Sequence, residues 1–137
     1  MKKILIIIGI VLLVFLTAIY SAFNYFFPKA EKFDYPNYSS LESITITKDN
    51  KTVNLSGEDA EILYGYIRKA KPTRMLSGED NPFRVPYYTI SIKAEDISYF
   101  GHGHIYENSG VTYFELPYVG IYTLDSDALN CIKNNID

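Results

Sequence analysis

The spacing of apolar positions divides this chain into one unbroken run, several stretches that repeat every second residue, and two that repeat at helical spacing. Residues 4–27 form the unbroken run: no charged side chain lies between Ile4 and Phe27, and Lys2 and Lys3 precede it. As a helix this run is roughly 36 Å long at ~1.5 Å per residue, against a hydrocarbon core of ~30 Å. A cleaved secretory signal has an apolar region of only about 7–15 residues followed by small side chains. Here the exit is aromatic, through Tyr25, Phe26 and Phe27, with Pro28 unable to continue the helix. The pattern predicts an uncleaved signal anchor. Lys2 and Lys3 favour a cytoplasmic N-terminus, with the rest of the chain outside and the membrane contacted through Ile4 to Phe27.

Residues 28–40 mix Lys, Glu, Asp, Pro and Tyr without a period and read as a tether. From Leu41 to the end the pattern predicts one domain. Ile44 and Ile46 alternate with threonines, Asp49-Asn50 is a turn pair, and Val53 and Leu55 alternate again, which is a β-hairpin. Ser56 is then placed to cap a helix whose stripe is Ala60, Leu63, Tyr64, Ile67 and Ala70, ended by Pro72. Residues 71–86 are a long connection, to be read as a lid or as carrying a short edge strand over 73–76. Tyr88, Ile90 and Ile92 mark a strand, and Glu95 and Asp96 a turn. Residues 97–107 and 111–116 are strands joined by an Asn108-Ser109-Gly110 turn. Pro117 interrupts the ladder, and residues 121–124 continue it. Asp125 or Ser126 caps a last helix with Ala128, Leu129, Ile132 and Ile136 on one side. The expected fold is α+β: an antiparallel sheet of about five strands with two helices on one face, preceded by one transmembrane helix.

Charge and composition narrow the partners. Without Lys2 and Lys3 the remainder carries eleven basic against sixteen acidic side chains, which argues against nucleic acid. Eleven of the thirteen tyrosines lie beyond the apolar run, and there is no Trp. Tyrosine suits half-buried strands, and saccharide stacking is its functional alternative. Cys131 is the only cysteine, so no internal disulfide forms and packing is its expected role. Asn37 and Asn54 open glycosylation tripeptides, which matter only in a eukaryotic secretory route.

Tyr113-Phe114-Glu115-Leu116-Pro117-Tyr118-Val119-Gly120-Ile121-Tyr122, after an aromatic strand and an Asn-Ser-Gly turn, resembles an uncharacterised domain-of-unknown-function family. Its members are small membrane-anchored or exported proteins of Gram-positive bacteria, clostridia and their relatives. The resemblance covers roughly Leu41 to the end and implies location and fold rather than chemistry.

Two places could carry chemistry. In Gly101-His102-Gly103-His104 the histidines are two apart, so on a strand both imidazoles point the same way and could share a metal, with the glycines leaving room around them. Zinc requires a third ligand, and Glu107 and Glu115 are the nearest donors. The plainer reading, which we prefer, is two solvent-facing histidines on the polar side of a sheet, and no cofactor is expected. Glu115, Tyr118 and Tyr122 are the candidate binding residues, with the tyrosines lining a groove beside the carboxylate. No nucleophile elbow, phosphate loop, dinucleotide fingerprint or zincin motif occurs. The functional expectation is a non-catalytic, membrane-anchored binding or sensing module at a bacterial surface, facing an envelope protein or saccharide. An envelope metal-dependent hydrolase using His102 and His104, and a structural or immunity-type partner of another membrane protein, are the alternatives.

Overall fold

The computed structural model describes residues 2–32, 35, 39, 41–78, 80, 82, 86–94 and 97–136, with backbone only over 97–102. The turn expected at Glu95 and Asp96, the Asn37 tripeptide and the side chain of His102 lie outside these residues. Helix α1 (Lys2–Phe26) carries the apolar run and has no buried residue. It is long and apolar enough to cross a membrane, with a mean hydropathy of 2.9 over its most apolar stretch.

The domain is α+β, built on one sheet of seven antiparallel strands rather than about five. They are β1 (Leu41–Lys48), β2 (Lys51–Leu55), β3 (Lys71–Pro72), β4 (Tyr87–Ala94), β5 (Ile97–Asn108), β6 (Val111–Leu116) and β7 (Gly120–Leu124). Their spatial order is β2-β1-β4-β5-β6-β7-β3. Paired residues share a face, so Ile44, Ile92, Ile90, Ile105, Phe114 and Tyr122 lie on one side through successive ladders. That side is the core. Helices α2 (Glu58–Arg68) and α3 (Ser126–Ile136) cover it with Ala60, Leu63, Tyr64 and Ile67, and with Ala128, Leu129, Ile132 and Ile136.

Local departures from the sequence expectations have identifiable causes. The α2 N-cap is Gly57, at φ 61°, without a side-chain cap bond, so Ser56 does not form the expected capping box. Glu58, Asp59 and Glu61 still line the first turn, where the helix dipole favours them. The helix stops before Ala70, because Lys69 and Ala70 turn back onto the Tyr66 and Ile67 carbonyls. At α3, Asp125 is the cap, its Oδ1 accepting from the Asp127 amide at 3.1 Å. An edge strand does form after α2, two residues earlier than expected, with Lys71 opposite Thr123 and Pro72 opposite Tyr122. Pro72 is tolerated because β3 is an edge.

The expected tether is not a free spacer in its described residues. The Ala30 amide donates to the Thr73 carbonyl at 2.8 Å. The Tyr122 hydroxyl donates to the Glu31 carbonyl at 2.7 Å. Tyr35 packs edge-on to Tyr64, ring centroids 6.4 Å apart, and burial raises its phenol well above the usual range. These side chains belong to the packed domain, which therefore starts ahead of Leu41.

Candidate functional site

The strand order dictates what covers the other face. Helix α2 carries the chain from the β2 edge to the β3 edge across the core side. To reach β4, the chain must then return past β7, β6 and β5, about 19 Å at ~4.8 Å per strand. Its described residues lie over the helix-free face and touch those strands in sequence. The Thr73 hydroxyl donates to the Ile121 carbonyl of β7 at 2.6 Å, and the Ser77 hydroxyl to Glu115 Oε1 of β6 at 2.7 Å. The Asp80 carbonyl then accepts from His104 Nε2 of β5 at 2.8 Å. The connection is a strap, and His104 and Glu115 are its pegs.

His104 and Glu115 are direct cross-strand partners, and both are buried, at 3% and 6% exposure. This corrects the expectation of a solvent-facing His104. A carbonyl can only accept, so Nε2 carries a proton, while Nδ1 shares a hydrogen bond with the Thr89 hydroxyl, 3.3 Å away. The ring is met edge-on by Tyr87 with centroids 5.1 Å apart. A metal at either nitrogen would displace Thr89 or Asp80. Among the described residues, no three of His, Cys, Asp and Glu gather as a metal set. Gly103 does not make room for an imidazole. It points to the core side, where a Cβ would run into the Phe114 ring and lie 3.3 Å from Leu116.

The structure separates the three expected binding residues. Glu115 lies on the helix-free face. Tyr122 lies on the core face, fully buried against Phe114, and its hydroxyl is raised by burial first and by Glu31 second. Tyr118 is at the tip of the β6–β7 turn, 67% exposed and in the left-handed region at φ 61°. Pro117 precedes it and the Val119 amide closes the turn onto the Leu116 carbonyl at 3.0 Å. A bulky side chain there is strained. No common groove joins the three. Cys131 is half-buried against the core, its thiol raised by burial and then by Asp59.

Where the strap rejoins the sheet, an open cavity of about 550 Å³ is lined by Thr47, Asp49, Pro86, Tyr87 and Thr89. Thr89 belongs both to this cleft and to the His104 contact, so the buried peg fixes one wall. Asp49 lines the cleft from the β1–β2 turn, where it holds a positive φ of 51°. None of these five residues stood out in the sequence as a binding residue, Asp49 being read only as half of a turn pair. Their signal was only the phase of the alternation: Thr47, Tyr87 and Thr89 occupy the positions opposite the isoleucines.

A helix-backed antiparallel sheet, strapped on its polar face and preceded by an apolar helix, defines a small α+β domain. Residues 29–123 match the family DUF5301, described as "Domain of unknown function (DUF5300)", and the chain belongs to that family. The match opens one residue before Ala30, where packing of the domain begins. No curated protein and no solved structure matches the chain.

Proposed function

We propose that this protein is a single-pass, membrane-anchored module of a Gram-positive bacterial surface that binds an envelope saccharide and catalyses nothing. In this reading α1 is an uncleaved signal anchor with its N-terminus cytoplasmic and the domain outside. The observation that carries the binding role is the employment of His104 and Glu115. Both are buried and committed to holding the strap, while the neighbouring cleft presents two threonine hydroxyls, a tyrosine ring and a carboxylate. Hydroxyls and a carboxylate satisfy sugar hydroxyls, and an aromatic ring packs on the apolar face of a pyranose. Acid–base catalysis by His104 or Glu115 would require one of them to reach the substrate, and both are covered; Asp49 lines the cleft without a second carboxylate or a histidine among its described lining residues.

The test uses the full-length chain in nanodiscs, titrated calorimetrically with soluble cell-wall glycan fragments. Tyr87→Ala and Asp49→Ala are expected to weaken binding about tenfold each, near the ~1.4 kcal/mol scale of one good contact, while product analysis shows intact glycan. Hydrolysis of the glycan, or affinity unchanged in both variants, would end this reading.

A further inference from the structure

We propose that the domain lies down on the bilayer, with the edge formed by Met75, Leu76, Tyr118 and Val119 seated in the headgroup region beside its own anchor. This rests on the anchor reading of α1 under Proposed function.

The last turn of α1 sets the position of this edge. About 20 helical residues cross ~30 Å of hydrocarbon, so a span that begins near Ile4 reaches the far interface near Phe23. Arg74 is fastened at that level. Its guanidinium donates to the Phe27 carbonyl and, at 2.6 Å, to Asn24 Oδ1, and it sits 4.8 Å from the centre of the Phe23 ring. A cation is favoured at a helix C-terminus, where carbonyls lack intrahelical partners. The clasp holds the next two residues at the same depth, Met75 at 38% exposure and Leu76 at 83%.

The second half of the edge is tied to the same place by different contacts. Ala30, three residues beyond Phe27, bonds to Thr73, and Gly120 packs on its side chain so closely that a Cβ there would collide with it. The β6–β7 turn therefore begins beside the helix exit and projects Tyr118 and Val119, 67% and 48% exposed. Tyrosine beside an aliphatic residue is the composition of an interfacial belt. Tyr25, Phe26 and Phe27 continue that belt on α1 itself, all exposed. The segments that flank it in the chain, residues 29–32 and 71–76, carry the exposed Lys29, Lys32 and Lys71 and the clasped Arg74 against one carboxylate, Glu31, a balance that suits anionic headgroups. The strain at Tyr118 has a role here: the left-handed turn throws a large ring outward from the domain, where the core could not use it.

The experiment places single cysteines in a full-length Cys131→Ser background at Phe15, Leu76, Val119 and Val111. Each carries an environment-sensitive fluorophore and is reconstituted in phosphatidylcholine–phosphatidylglycerol vesicles with shallow or deep spin-labelled lipid quenchers. Val111 is exposed but stands at the opposite end of β6, about 17 Å away at ~3.4 Å per residue. Expected are deep quenching at Phe15, blue-shifted emission with shallow quenching at Leu76 and Val119, and neither at Val111. Quenching at Phe15 with none at Leu76 and Val119 would overturn the seated edge and leave the anchor standing. Equal quenching at Val111 would also overturn it, since no edge would then be preferred. An unquenched Phe15 would remove the anchor, and this inference with it.

Discussion

His104 and Glu115, opposite one another on β5 and β6, hold two successive points of a single crossing segment, Asp80 and Ser77. The strand order requires a crossing of β7, β6 and β5 between β3 and β4, and the Ser77 and Asp80 contacts place its described residues over that pair. Replacing either peg is therefore expected to loosen the strap before it disturbs the helix-backed core.

For His104→Ala, the Asp80 carbonyl and the Thr89 hydroxyl both lose a buried partner. The expected cost is about 2–4 kcal/mol, from the lost bonds and the cavity together. Urea unfolding should show the loss, and limited proteolysis should cut faster between Ser77 and Pro86. In the parent protein, nitrogen-15 spectra should report a proton on Nε2, the nitrogen that faces the Asp80 carbonyl. A wild-type cleavage rate in the variant would mean that His104 holds nothing.

Ser77 and Glu115 can be separated from general packing by a double-mutant cycle. Ser77→Ala and Glu115→Gln should each destabilise, and the coupling between them should be about 1–2 kcal/mol, as for a partly buried bond to a carboxylate. Additive effects would show that the 2.7 Å contact contributes no net stability.

Gly103→Ala should destabilise the fold by about 1–3 kcal/mol, since the new methyl meets the Phe114 ring in a closed core. Phe114→Leu should partly rescue it, which thermal unfolding of the pair would reveal. If Gly103 instead served a metal at the histidines, the alanine variant would lose metal while retaining its stability.

The alkaline limb of stability should be governed by buried phenols. Burial raises Tyr122, with Glu31 adding to it, and burial also raises Tyr35, helped by Tyr122 and Tyr64. A folded-state value above the unfolded one means the stabilisation is complete below pH ~10 and declines as pH climbs through the folded values. Unfolding midpoints should begin to fall near pH ~10, the reference value for an unfolded phenol, and keep falling above it. Tyr122→Phe should flatten that fall while costing about 1 kcal/mol at neutral pH through the lost bond to Glu31.

Much of the architecture was legible in the sequence. The isoleucine alternation in β1 and β4, the paired turns, and the stripes of α2 and α3 all derive from local period, because burial selects every second residue of a strand and every third or fourth of a helix. The apolar run needed nothing beyond length. What periodicity could not supply was the neighbour of each strand. Lys71–Pro72 is too short to carry a pattern, and only its pairing with β7 makes it a strand. That pairing decides that the chain must double back, and the Ser77 and Asp80 contacts put the crossing on the polar face. The crossing in turn converts His104 from an exposed position of an alternating strand into a buried one. It likewise gives Glu115 a partner thirty-eight residues away. Tyr122 went to the core and Glu115 to the strap because they stand seven residues apart around a three-residue turn, on opposite faces of one hairpin. Period and length, being local, determined the elements and the apolar helix. Strand order, a property of the whole folded chain, decided which polar residues would be covered and which would stay exposed.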